Sequence, residues 1–161
     1  MAPRYAKLSA MSLIGQPAPS FSLRDQSREV ITLDDLKGRK SLVVFIPFPF
    51  TGVCHGELCA IRDNLAALNE FEAGVIVITC DTLAVNKKWS EENGFDFPVL
   101  SDFWPHGQTA IAYGAFDDRT GGAKRYTFVL DEDGVVRNEI KSEELGTPRE
   151  FDLYLEALST V

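Results

Sequence analysis

Few cysteines and no long apolar run occur in this sequence, and each shortage excludes a class of protein. The three cysteines are an odd number, and none of them forms a Cys-x-x-Cys pair or has the spacing of a disulfide framework or zinc site. We therefore expect reactive or buried thiols in a cytoplasmic protein, because structural disulfides are rare in that compartment. No apolar run approaches the roughly 20 residues of a membrane-spanning helix, so no membrane partner is expected.

Positively charged residues are also few relative to negatively charged ones. The 161 residues include 16 Lys and Arg against 24 Asp and Glu, which gives a net charge of −8. Such a surface repels phosphate groups, so we expect neither nucleic acid nor an anionic membrane as a partner. Residues 1–11 lack the apolar core of a secretory signal. We expect a flexible N-terminal extension over residues 1–11 and a single domain over residues 12–161.

What the sequence does contain is a regular alternation of strand and helix patterns. Continuous apolar runs at 40–46 and 75–79 predict buried strands. Amphipathic patterns predict helices over 52–72 and 83–93, the second ended by Gly94. This alternation predicts an α/β fold with a mixed central sheet and helices on both faces.

The C-terminal part of the chain predicts a hairpin and a final helix. Two strand patterns, 126–130 and 135–140, flank the turn sequence DEDG. Thr147 precedes Pro148 and Glu150, which is the arrangement of an N-cap, a first helical position and a capping box. We therefore expect the last helix to begin at Thr147.

The segment that organises the chain is residues 47–54, PFPFTGVC. It joins the strand at 40–46 to the helix that begins near Cys54. A helix N-terminus presents unpaired N–H groups and the positive end of the helix dipole, and both stabilise a thiolate. Thr51 is expected to cap this helix, and Pro47 to fix the backbone before it without adding an N–H donor. The segment therefore predicts that Cys54 is an activated thiol and not an inert core residue.

Pro47, Thr51 and Cys54 also match the Pro-x-x-x-Thr-x-x-Cys signature of the peroxiredoxins, which are cysteine peroxidases with a thioredoxin-like fold. The chain resembles this family over residues 12–160, with further similar motifs at GQPAPSF and FPVLSD. The segment SDFWPHG resembles the actinobacterial AhpE-type subgroup. The resemblance implies a thiol peroxidase that reduces hydrogen peroxide and organic hydroperoxides through a Cys54 sulfenic acid. It also implies no metal or organic cofactor, and a homodimer or larger homo-oligomer.

Formation of a thiolate does not by itself make a peroxidase. A free cysteine is only ~3 % ionised at pH 7, so full ionisation gains at most ~30-fold, or about 2 kcal/mol. Donors aimed at the departing oxygen must supply the rest. The candidates are the Thr51 hydroxyl, the Cys54 N–H and Arg125, which the resemblance places at the active site. The resemblance also implies that Glu57 supports this arginine; its other interpretation is a favourable charge at the helix start.

Cys59 lies five residues after Cys54, which is the spacing of the resolving cysteine in the PrxQ (bacterioferritin-comigratory) branch of the family. In an intact helix the two Cα atoms are ~8.6 Å apart, whereas a disulfide requires about 7 Å or less. The first helical turn must therefore unwind before the bridge forms. Two interpretations stay open. Cys59 attacks the Cys54 sulfenic acid and thioredoxin reduces the disulfide, or Cys59 only packs and an external mycothiol or mycoredoxin system regenerates Cys54.

Two further residues are expected to have ordinary structural roles. His55 is expected to be solvated and to point away from the Cys54 sulfur. Cys80 follows a buried strand and is expected to be a small core residue, with a secondary resolving role as the alternative.

Other protein classes fit the cysteine spacing less well. A thioredoxin-like disulfide oxidoreductase needs Cys-x-x-Cys, in which the sulfurs exchange without unwinding. A thioredoxin-fold copper carrier needs Cys-x-x-x-Cys and a distant histidine, for which His106 is the candidate. A redox sensor that passes oxidation to a partner has no sequence feature that separates it from a scavenger.

Overall fold

The computed structural model describes residues 11–161, which form a seven-stranded sheet, a small two-stranded sheet and the helices around them. The strands are β1 (Ser22–Arg24), β2 (Val30–Thr32), β3 (Ser41–Ile46), β4 (Gly74–Thr79), β5 (Val99–Ser101), β6 (Phe116–Asp117), β7 (Gly122–Ala123), β8 (Arg125–Leu130) and β9 (Val136–Ser142). The helices are α1 (Gly52–Asp63), α2 (Leu65–Glu70), α3 (Leu83–Asn93), α4 (Gln108–Ala112) and α5 (Phe151–Ser159), with a 3₁₀ turn at Leu33–Leu36. The predicted extension over residues 1–11 lies outside the described residues, except for Met11.

The large sheet is mixed, and its strand order is β2-β1-β5-β4-β3-β8-β9. Strands β3, β4 and β5 run parallel, and β8 is antiparallel to both β3 and β9. Every residue of β3, β4 and β8 is buried, because these central strands are covered on both faces. The mixed α/β sheet expected from the sequence is confirmed.

Alternate residues of β3 pack into two separate hydrophobic cores, because side chains alternate across a strand. Leu42 and Val44 pack with residues of α1, α3 and α5 on one face. Val43 and Phe45 pack with the 3₁₀ turn and α4 on the other face. Helices therefore cover both faces of the sheet, as predicted, and the end of β3 leads into the loop of residues 47–51, which we call the proline loop.

The helix predicted over 52–72 is in fact two helices. Helix α1 ends at Asp63, Asn64 departs from helical geometry with φ −121° and ψ 22°, and α2 follows. The side-chain amide of Asn64 donates a hydrogen bond to the carbonyl of Ala60 at 2.7 Å. Asparagine competes in this way with the backbone hydrogen bonds of a helix, which explains a break that the apolar periodicity does not reveal.

The last helix begins later than predicted. Helix α5 starts at Phe151, and Thr147, the predicted N-cap, instead contacts Glu144 through its hydroxyl at 3.4 Å. The N–H of Arg149 donates to the Glu57 carboxylate at 2.8 Å, which holds the segment before α5 in a non-helical path. A tertiary contact with a buried carboxylate therefore overrides the local capping signals.

The predicted hairpin turn and the predicted end of α3 are confirmed, and a two-stranded sheet is present that was not predicted. The sequence DEDG joins β8 to β9, and Gly94 ends α3 in the left-handed conformation with φ 65°. Strands β6 and β7 pair with each other and are two residues long, which is too short to produce a periodic signal. None of the helices within residues 11–161 has the length and apolar character of a membrane span.

Candidate active site

Cys54 is the third residue of α1, and its side chain is fully buried. The backbone N–H of Phe48 donates to its sulfur at 3.5 Å. This N–H and the free N–H groups of the first helical turn together place partial positive charge around the sulfur. The surroundings of Cys54 therefore direct hydrogen-bond donors at a sulfur that is shielded from bulk water.

The proline loop holds the Phe48 N–H in place, and β7 supports the loop from outside. Pro47 and Pro49 are both buried. A side chain at Gly122 would come within 3.0 Å of the Pro47 carbonyl and of the Phe48 ring, so only glycine fits there without a shift of the loop. Gly122 was not predicted to be a site residue, because its contact is tertiary and no local pattern signals it.

Phe50 is a strained residue immediately before α1. Its backbone is left-handed, with φ 65°, which is uncommon for a bulky side chain and costs about 1–3 kcal/mol. Its ring is 51 % exposed and lies 6.1 Å from the ring of Trp89. The proline loop therefore enters the helix through a conformation that is maintained by the surrounding structure.

Thr51 occupies the N-cap position of α1, as predicted, but its side chain makes no capping hydrogen bond. The Thr51 hydroxyl instead donates to the carbonyl of Phe48 at 2.6 Å. The hydroxyl hydrogen that the sequence analysis assigned to a departing oxygen is used by this bond. The first turn of α1 consequently lacks a side-chain cap, and the Thr51 oxygen keeps lone pairs that can accept a hydrogen bond.

A buried network of one carboxylate and two arginines lies beside the first turns of α1. Glu57, Arg125 and Arg149 are each about 95 % buried, with exposures of 5 %, 4 % and 5 %. Arg125 Nη1 donates to Glu57 Oε1 at 2.5 Å, and Arg125 Nε donates to the Leu145 carbonyl at 2.6 Å. Arg149 binds the same carboxylate through Nε at 2.8 Å and Nη2 at 3.1 Å. Two cations share one anion, so the network carries net positive charge.

The two arginines differ in which of their donors are used. All three side-chain nitrogens of Arg149 donate hydrogen bonds, since Nη1 binds the Thr127 hydroxyl at 3.1 Å. Arg125 uses Nε and Nη1, and its Nη2 has no hydrogen-bond partner within residues 11–161. Within residues 11–161, Arg125 therefore keeps one nitrogen without a hydrogen bond, whereas each side-chain nitrogen of Arg149 makes a hydrogen bond to the protein.

The charges of this network extend to the candidate thiol. Burial alone would raise the pKa of Glu57, but the hydrogen bonds and charge of Arg149, together with the charge of Arg125, hold that pKa below its usual range. Burial alone would lower the pKa of Arg149, but Tyr154, Glu57 and a Cys54 thiolate all act to raise it. Arg149 is thus an electrostatic neighbour of Cys54.

Arg149 was not among the predicted site residues. It lies among turn-forming residues before the last helix, where a lone arginine carries no motif. The Thr127 hydroxyl that binds it also lies 3.1 Å from the Tyr154 hydroxyl, so a buried polar chain runs from the network into α5. Only the packing of α5 against β8 and α1 brings Arg149 to the site.

Cys59 lies on α1 outside this network. It is half-buried, and its sulfur lies 3.4 Å from Nε2 of His55. His55, which was expected to be solvated, is half-buried, and its ring contacts the thiol of Cys59 and not that of Cys54. Cys54 and Cys59 are both free thiols in one continuous helix, and the ideal helical separation of ~8.6 Å exceeds disulfide reach.

Cys80 and His106, the remaining candidates, lie elsewhere. Cys80 is buried after β4, and burial, with the charges of Asp102 and Asp81, raises the pKa of its thiol to about 12. His106 places its two ring nitrogens against the carbonyl oxygens of Phe103 and Gly121, at 3.2 and 2.6 Å. In the described part of the chain, no three or more His, Cys, Asp or Glu side chains are grouped so that they could hold a metal ion.

The fold and the site together define a class of protein, namely a thioredoxin-like α/β protein with a buried thiol at a helix N-terminus beside paired arginines. Comparison with known proteins agrees. The model of the AhpC/TSA family matches residues 14–139. Alkyl hydroperoxide reductase E of Mycobacterium tuberculosis is 41 % identical over 150 residues, which cover 92 % of this chain and 97 % of that protein.

More distant relatives show the same relationship. The putative peroxiredoxin bcp of Coxiella burnetii is 32 % identical over 129 residues, which cover 76 % of this chain and 84 % of the relative. The crystal structure of Enterococcus faecalis AhpC superposes with a TM-score of 0.85 at 26 % identity and covers 93 % of this chain and 92 % of its own. The chain therefore belongs to the AhpC/TSA family and is a peroxiredoxin, that is, a thiol peroxidase.

Proposed function

We infer that Cys54 is the peroxidatic cysteine and that its substrates are hydrogen peroxide and organic hydroperoxides. The observation that carries this assignment is the placement of a fully buried sulfur at the start of α1, with the Phe48 N–H on it and the arginine network beside it. The name of the 41 % identical relative, an alkyl hydroperoxide reductase, supports alkyl hydroperoxides as one substrate class.

The first chemical step is attack of the Cys54 thiolate on the terminal oxygen of the hydroperoxide. A sulfur–oxygen bond forms, the oxygen–oxygen bond breaks, and the departing alkoxide takes a proton from water to leave as an alcohol. Cys54 is oxidised to a sulfenic acid and the peroxide is reduced. The partial positive charge around the sulfur favours the thiolate, and the barrier then depends on charge at the departing oxygen.

The other site residues have distinct proposed roles in this step. Arg125 Nη2, the donor without a partner in residues 11–161, binds the departing oxygen. The Thr51 oxygen accepts a hydrogen bond from the O–H of the peroxide, because its own hydrogen is bound to Phe48. Glu57 orients the arginines, and Pro47 shapes the loop that carries the N–H donor to the sulfur.

Cys59 is the proposed resolving cysteine, because the first turn of α1 is built to open. It has no side-chain cap, and it is followed in the helix interior by Gly56, which weakens the helix by about 1 kcal/mol relative to alanine. The strained backbone of Phe50 lies directly before it. Opening of this turn lets Cys59 form a disulfide with the Cys54 sulfenic acid, and thioredoxin is the proposed reductant of that disulfide.

A second candidate cycle lacks the internal disulfide. In that cycle an external thiol of the mycothiol or mycoredoxin type reduces the Cys54 sulfenic acid, and Cys59 only packs against the core beneath α1. We also propose that the protein acts in the cytoplasm as a homodimer or larger homo-oligomer. Exposed aromatic rings at Phe50, Phe103 and Trp104 support self-association.

Rapid-mixing kinetics test the proposal. Hydrogen peroxide and an alkyl hydroperoxide are each mixed with the reduced protein, and their consumption is followed in the wild type and in Cys54→Ser, Cys59→Ser and Cys80→Ser. The proposal predicts that only Cys54→Ser abolishes the first turnover. Equal first-turnover rates in the wild type and Cys54→Ser would show that another group reacts with the peroxide.

A further inference from the structure

Cys59 and His55 form a direct side-chain pair on α1. The Cys59 sulfur lies 3.4 Å from His55 Nε2. The two residues are four positions apart, so they lie on one face of the helix. Both are half-buried, and Cys59 packs against the core cluster beneath α1. The contact between thiol and imidazole is therefore present in the folded helix, before any unwinding.

A cation lies one helical turn beyond the same thiol. Arg62 follows Cys59 by three positions on α1, and its Nη1 donates to the carbonyl of Asn93 at 2.7 Å, which anchors it. A hydrogen bond to Asp63 raises the pKa of Arg62, and the charge of a Cys59 thiolate adds to this effect. Along α1, Cys59 thus lies between the His55 ring and the anchored guanidinium of Arg62.

We propose that His55 is the general base and proton carrier of the resolving step: it takes the proton of Cys59 while α1 is intact and gives it to the hydroxide that leaves Cys54. This inference rests on the proposed resolving role of Cys59. It assigns a chemical function to a histidine that is not a member of the network of Glu57, Arg125 and Arg149.

The step balances within the protein. The Cys59 thiolate attacks the sulfur of the Cys54 sulfenic acid, a sulfur–sulfur bond forms, and the sulfur–oxygen bond breaks. The departing hydroxide takes the proton held on His55 and leaves as water. The Cys54 sulfur is reduced as the Cys59 sulfur is oxidised, so no external oxidant or reductant enters.

The position of His55 in the chain suits both proton transfers. Its contact with Cys59 depends on helical geometry and is lost when the first turn opens. His55 directly follows Cys54, however, so it remains beside that residue after unwinding. It can therefore receive the proton in the folded helix and deliver it at Cys54 in the open one.

A purely structural role for the same contact predicts the opposite effect. If His55 only pins the first turn of α1, its removal makes opening easier and accelerates formation of the disulfide. If His55 acts as the base, its removal slows the disulfide, because a free thiol is only ~3 % ionised at pH 7 and the loss is bounded at ~30-fold. The sign of the change distinguishes the two roles.

The experiment measures two rates. The rate at which iodoacetamide alkylates Cys59 is compared in three proteins that all carry Cys54→Ser. One retains His55, and the other two carry His55→Gln or His55→Ala. In proteins that retain Cys54, rapid quenching and mass spectrometry follow the Cys54–Cys59 disulfide as a phase separate from sulfenic acid formation. His106→Gln, a change at the only other histidine, is the matched control. Added imidazole tests chemical rescue of His55→Ala.

We expect both rates to fall about tenfold in His55→Gln and His55→Ala, to stay unchanged in His106→Gln, and to recover in His55→Ala with imidazole. An unchanged or faster disulfide phase in His55→Gln overturns the inference and leaves the resolving role of Cys59 standing. A wild-type protein that forms no Cys54–Cys59 disulfide contradicts the resolving role itself, and the inference falls with it.

Discussion

Gly56 lies between the two cysteines of α1, and its replacement by alanine directly tests whether the first turn must open. The backbone of Gly56 is helical, and a Cβ atom built there meets no atom within 4 Å, so alanine fits without a clash. Alanine stabilises a helix by about 1 kcal/mol relative to glycine. That difference corresponds to an approximately fivefold smaller population of the open turn.

The rate of disulfide formation should fall by the same factor in Gly56→Ala. Short helices relax in about 0.1–1 μs, so opening is in equilibrium before the sulfurs react, and the rate is proportional to the open population. Rapid quenching after one equivalent of hydrogen peroxide, followed by mass spectrometry, measures this rate. The longer-lived sulfenic acid should also give more sulfinic acid when peroxide is in excess.

The matched control is Ala66→Gly at an exposed position of α2. It changes the free energy of helix formation by the same amount in the opposite direction. It should leave the disulfide rate unchanged, because α2 lies beyond both cysteines. A disulfide rate in Gly56→Ala equal to or above that of the wild type would refute the reasoning. The bridge would then form without opening of the first turn.

Three further predictions concern the buried network, the proline loop and the third cysteine. Glu57→Gln leaves two buried arginines without a counter-charge and should lower the free energy of unfolding by about 3–5 kcal/mol in urea titrations; a loss below about 1 kcal/mol contradicts the network. The pKa of Glu57 is lower in the folded protein than in the unfolded chain. The Glu57 carboxylate therefore stabilises the fold fully above about pH 4.5, and this stabilisation is lost as the pH falls through the pKa of the folded state. The free energy of unfolding should accordingly decline on acidification in the wild type, and should decline less in Glu57→Gln. Gly122→Ala should slow the peroxide reaction about tenfold or more by moving the N–H donor off the sulfur, whereas Gly146→Ala, which has open space around it, should not. Cys80 should resist iodoacetamide at pH 8.5 in the native protein, because burial raises its pKa to about 12; fast alkylation would show that it is accessible.

Much of the fold was predictable because its signals are local. The buried runs at 40–46 and 75–79 became the central strands β3 and β4. The strand pattern before residue 47 and the helix pattern that follows it are also local, and together they placed Cys54 at a helix start. The alternation of strand and helix patterns predicted a mixed sheet, and the observed strand order confirms it.

The parts that could not be predicted are tertiary. Arg149 and Gly122 reach the site only through packing of distant segments, and neither carries a motif. The start of α5 was misplaced for the same reason, because the contact between Glu57 and Arg149 outweighs a capping sequence. These errors fall on residues that build the candidate site and not on the framework of strands.

One missed feature was within reach of sequence reasoning. His55 and Cys59 are four residues apart on a predicted helix, which is the spacing at which side chains meet. The prediction that His55 is solvated considered only the sulfur of Cys54, one position earlier. A check of every titratable pair at helical spacing would have predicted this contact, which the structure shows at 3.4 Å.

The central claim, that Cys54 is the thiol that reduces peroxide, is tested most directly by intact mass after one equivalent of hydrogen peroxide, with dimedone present as a trap for sulfenic acid. The account predicts loss of two hydrogens in the wild type, through the Cys54–Cys59 disulfide, and a dimedone adduct on Cys54 in Cys59→Ser. An adduct on Cys54 in the wild type would retain Cys54 as the peroxidatic residue and favour an external reductant. A Cys54 that stays unmodified in both proteins, while peroxide is consumed, would contradict the account.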